Sequence, residues 1–90
     1  MCRNIKPLFN FDPPVTDTEI RDASLQFVRK VSGYNKPSIA NEAAFNRAVD
    51  QIAAVTKELL EGMVTSAPQR DREVEAARAR ERARQRYGAA

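Results

Sequence analysis

Residues 16–62, TDTEIRDASLQFVRKVSGYNKPSIANEAAFNRAVDQIAAVTKELLEG, decide the fold, because they hold two helical patterns, each with its own start and stop signal. Thr16 followed by Glu19 has the spacing of a capping box, and Val15 and Ile20 flank it at staple spacing. Ile20, Ser24, Phe27, Val28 and Val31 then share one helical face, with Ala23 and Leu25 at its margins. Gly33 supplies the left-handed stop. After the turn YNKP, Ser38 can cap a second helix, and so can Asn41. Its apolar stripe is Phe45, Ala48, Val49, Ile52, Val55, Thr56, Leu59 and Leu60, and it ends at Gly62 with Met63 placed over the last turn. A connection of about five residues predicts an antiparallel two-helix hairpin.

Working outward, the arm MCRNIKPLFNFDPP has no helical period, and Pro7, Pro13 and Pro14 push the residues before them toward extended geometry. Its Ile5, Leu8, Phe9 and Phe11 are too much apolar surface to leave in water, so the arm is expected to lie across the helices. On the other side, after the TSAPQ break, residues 70–87 are rich in Ala, Glu, Arg and Gln, with Val74 and Tyr87 as the large apolar residues. That composition predicts a helix that packs little. The expected fold is all-α: arm plus helical hairpin over residues 1–64, a linker at 65–69, and a basic helical tail at 70–90.

Ninety residues allow one domain, and a chain this short buries roughly 60% of its unfolded surface, so its core is marginal. Either the aromatic arm completes that core, or two hairpins pair into a dimeric four-helix assembly. The single cysteine, Cys2, cannot form an internal disulfide, which fits a reducing compartment. With no basic-then-apolar leader and no run of about 18 apolar residues, the expectation is a soluble, cytoplasmic protein that does not enter the membrane.

The net charge is +3, and it is unevenly spread. Up to Gln69 eight basic residues balance eight acids, whereas beyond it seven arginines face Asp71, Glu73, Glu75 and Glu81. Arg78, Arg82 and Arg86 stand four apart, as do Arg80 and Arg84, a spacing at which like charges repel along a helix. A polyanion relieves that repulsion, through salt-sensitive contacts that do not depend on sequence. The interspersed glutamates and the spread of arginines around the helix fit a solvated tail instead, and an acidic protein surface is a third reading. A helix-turn-helix reader of bases is discounted, since the polar face of the second helix is nearly charge-balanced.

Two further constellations bear on chemistry. Cys2 beside Arg3 and Lys6 is the only soft nucleophile, and a possible metal ligand or redox handle. No histidine can serve as its base and no second cysteine can share a metal, so a thiol- or metal-dependent role is kept as the alternative. The turn SGYNKPSIAN sets Ser38, Asn41 and Lys36 at the positive end of a helix, the chemistry of an anion pocket, although all three are also ordinary turn residues. Tyr34 is either a contact residue or a plug over the end of the hairpin.

The opening MCRNIK, the following NFDPP, LQFVRKVSG across the end of the first helix and KPSIANEAAF at the start of the second together resemble the small bacterial family catalogued as domain of unknown function 2277. The resemblance runs, more loosely, through APQRDREVEAARAR, and it implies no activity. The residues themselves point to a non-enzymatic interaction or assembly module without a cofactor. Its contacts are expected at Arg78, Arg80, Arg82, Arg84 and Arg86, with Tyr34 and Lys36 behind them, and its partner is a second copy, another protein or a nucleic acid.

Overall fold

The computed structural model describes residues 4–87. Along the chain come β1 (Phe11–Asp12), α1 (Asp17–Ser32), a 3-10 turn (Ile39–Asn41), α2 (Glu42–Gly62), β2 (Arg70–Asp71) and α3 (Arg72–Tyr87). The protein is therefore mostly helical, with one short parallel strand pair that the helical patterns did not announce. The residues fall into two compact units, 4–9 with Val15–Thr65, and Asn10–Pro14 with 66–87.

In the first unit, α1 starts where the capping box predicts. Glu19 N–H donates to Thr16 Oγ1 at 3.2 Å, and Thr16 N–H donates to Glu19 Oε1 at 3.0 Å, so two of the orphan amides of the first turn are satisfied. The helix stops at Gly33, whose φ of 81° suits a residue without a Cβ and whose N–H donates to Arg29 O at 2.9 Å. α2 starts less simply. Asn41 Nδ2 donates to Ser38 Oγ at 2.9 Å, and the two candidate caps thus bond to each other through a 3-10 turn instead of capping the helix with a side chain. At its far end Gly62 is the last helical residue, but the chain leaves through Met63 in extended geometry, so no left-handed glycine is used there.

The core of this unit is one narrow seam. Ile20, Ser24 and Val28, four apart on α1, are buried, as are Phe45 and Val49 on α2, with Val49 only 2% exposed. Val28, Phe45 and Val49 form one cluster, with Leu25, Ala48 and Ile52 packed against it. Ser24 fits this dry position because its hydroxyl donates to Ile20 O at 2.8 Å. Charged residues beside the seam pair across it, Arg21 with Asp50 at 2.6 Å and Lys57 with Asp17 at 3.2 Å. The predicted apolar faces are wider than the seam. Val31 stays 70% exposed, Val55 66% and Leu59 56%, and Phe27 is also largely open. Two helices alone bury the rows that face each other; the flanking rows need a further layer.

The arm is divided between the units. Residues 4–9 lie against the helices as expected: Asn4 N–H donates to Gln26 Oε1 at 2.7 Å, Leu8 and Phe9 are half-buried, and Ile5 and Leu8 wall a groove with Ala23, Phe27 and Leu60. Phe11 does not join them. It belongs to β1, which pairs in parallel with β2 in the register Phe11 with Arg70 and Asp12 with Asp71.

Asn10 explains the second unit. Its φ of 66° is tolerated by asparagine better than by most residues. In that conformation its carbonyl accepts from Arg70 N–H at 2.7 Å while Nδ2 donates to Pro68 O at 3.0 Å. The Arg70 guanidinium lies 5.7 Å from the centre of the Phe11 ring, within cation–π range. Asp71 then caps α3, accepting from Val74 N–H at 3.0 Å, so the helix predicted from residue 70 begins two positions later.

Candidate functional site

α3 carries the arginines singled out by charge, and its composition determines how they are presented. Glu73 and Glu75 stand in its first turn and Arg84 and Arg86 in its last, the order that complements a helix dipole. Val74, its large apolar residue near the start, is itself nearly half exposed. The side chains that matter are set by their neighbours along the helix.

Arg84 is taken up locally. Its Nε and Nη2 donate to Glu81 Oε2 and Oε1 at 3.0 and 2.8 Å, a two-pronged contact to which Gln85 adds a bond at 3.3 Å. This guanidinium holds the Glu81 carboxyl below its usual value, and Glu81 in turn raises Arg84. The depressed carboxylate fixes the sign: the contact is complete above the ordinary carboxylate range and is lost as pH falls through the lowered value. Arg78 lies 3.8 Å from Glu75, a looser pairing. Arg80 and Arg82 are exposed, and no carboxylate among the described residues pairs with either. Arg86 is also exposed and already has an interaction within the structure. Of the five arginines singled out, two are thus left for an outside anion, and two residues of separation put them on opposite sides of the helix.

The turn residues belong to the first unit. Lys36 is exposed, and Arg29 Nε donates to Asn35 O at 2.9 Å, which ties the turn to the end of α1. Ser38 and Asn41, expected to help form an anion pocket, are occupied with each other. Tyr34 is 57% exposed, which a plug would not be, and it stands on the rim of an apolar groove of ≈ 460 Å³ bounded by Val31, Pro37, Ala44 and Ala48. This open groove was missed in the sequence, because periodicity marks apolar rows without saying which of them find a cover.

Cys2 lies outside the described residues. Among those described, no group of three His, Cys, Asp or Glu side chains is arranged to hold a metal ion, and no helix is long and apolar enough to cross a membrane.

No curated protein and no solved structure matches the chain. A family model described as "Uncharacterized conserved protein (DUF2277)" matches residues 1–78. The matched span takes in all of α1 and α2 and reaches Arg78, leaving Arg80, Arg82, Arg84 and Arg86 beyond it. The chain therefore belongs to the DUF2277 family of uncharacterized conserved proteins.

Proposed function

We propose that the protein is a non-enzymatic interaction module whose α3 engages a phosphate-rich polymer, single-stranded RNA being the simplest example. The observation that carries this reading is the pair Arg80 and Arg82, exposed and without a carboxylate partner among the described residues, on a helix with no fully buried side chain among those described. Guanidiniums on opposite sides of one helix suit a flexible chain of phosphates better than a single small anion. The test is binding of single-stranded RNA to the whole protein across a salt series. The Arg80→Ala/Arg82→Ala variant should bind more weakly, with the log–log salt slope flattened by about 1.4, since each single-strand phosphate contact contributes ~0.7. Binding that ignores both salt and the substitutions would sink the reading, and capture of acidic proteins in place of RNA would move it to a different partner.

A second observation favours assembly alongside binding. The two helices are read as an antiparallel hairpin, on the support of three pairings that run in opposite chain order: Asp17 with Lys57, Arg21 with Asp50, and Val28 with Phe45. That hairpin is read as half of a dimeric four-helix assembly. Support comes from a core of four buried hydrophobic side chains among the described residues, beside the exposed Val31, Val55 and Leu59.

A further inference from the structure

We propose that the outer edge of α2 receives a second copy of this chain, laid antiparallel across it about a two-fold axis near Gln51. The proposal rests on the assembly reading above and names the surface, the partner and the register. Besides Glu42 and Glu61, α2 bears two pairs of opposite charges on different edges. Asp50 and Lys57 face α1, where Arg21 and Asp17 match them. Arg47 and Glu58 lie on the other edge, and neither has an ion pair among the described residues.

At 3.6 residues per turn, Ala44, Ala48, Val55 and Leu59 form a strip adjoining Arg47, Gln51 and Glu58. Its order selects the occupant. Along the helix the strip runs small, small, large, large; reversed about its middle, it complements itself. Leu59 of one copy falls against Ala44 of the other, where the groove bounded by Val31 and Tyr34 leaves room, and Val55 falls against Ala48. The charged rim obeys the same reversal. Arg47 of each copy meets Glu58 of the other, so this pair of opposite charges is matched twice across the axis. A two-fold interface requires this property, residue i touching j while j touches i. A parallel arrangement would oppose Arg47 to Arg47 and Glu58 to Glu58, which repels. Near the axis Gln51 meets its own counterpart, and an amide both donates and accepts.

Sedimentation velocity of the full chain over a concentration series tests this, with circular dichroism confirming that each variant keeps its helices. The wild-type chain should be a dimer. Arg47→Glu or Glu58→Arg alone should weaken association roughly tenfold or more, because each change turns two symmetry-related attractions into repulsions. The double variant R47E/E58R should regain the dimer, and an equimolar mixture of the two single variants should form the heterodimer. A dimer indifferent to both single reversals, or a double variant that stays as weak as the singles, overturns this edge and register while leaving the assembly reading in place. A chain that stays monomeric throughout overturns both.

Discussion

The two units of this chain are held by different physics. Around α1 and α2 the organising contact is a dry seam, Val28 against Phe45 and Val49 with Ile20 and Ser24 buried along the same row of α1, and ion pairs stand at its borders. Around α3 nothing comparable is buried among the described residues. There the chain is held by a handful of polar contacts: Asn10 bridging to Pro68 and Arg70, Asp71 capping the helix, and Glu81 gripping Arg84. The contrast teaches that a helix can be fully formed for two reasons, and that only one of them uses up its side chains. A helix stabilised by packing has committed one face. A helix stabilised by caps, helix-forming residues and short-range pairs keeps its surface for other molecules.

This difference is most sharply exposed by Phe45→Ala. Removing a buried aromatic side chain from so small a core should cost roughly 3–5 kcal/mol, enough to unfold most of α1 and α2. Far-UV circular dichroism during urea titration should show that loss, with the helical signal of α3 left largely in place. A smaller effect is expected at the other unit. Asp71→Ala removes the cap on Val74 N–H and should cost about 1 kcal/mol, confined to the first turns of α3 and visible in the amide shifts of residues 72–76. If Asp71→Ala destabilised α2 as much as α3, the division between the units would be wrong.

Much of the first unit was legible in the sequence, and the reason is local. A capping box and a glycine stop are contacts between residues three or four apart, so Thr16, Glu19 and Gly33 announce themselves. The width of the buried face was not legible. Whether Val31, Val55 and Leu59 are covered depends on how many layers pack over them, which periodicity cannot count. The strand pair was equally hidden, since Phe11 and Arg70 meet across a large separation in sequence with two residues on each side. Asp71 was the readable signal that went unused: an aspartate just ahead of a run of helix formers is a cap. For the candidate site, the excess of arginine was evident from composition. Which arginines stay unpaired was not, because that depends on the rotamers that bring Glu81 to Arg84 and leave Arg80 and Arg82 alone.

Native-state hydrogen exchange on the full chain tests the central contrast most directly. Amides on the seam, those of Val28, Phe45 and Val49 among them, should exchange only through global unfolding, whereas amides in the second half of α3 should exchange orders of magnitude faster, by local fraying. Equal protection of the two sets, rising and falling together with denaturant, would mean that α3 is part of one cooperative core and would contradict the account.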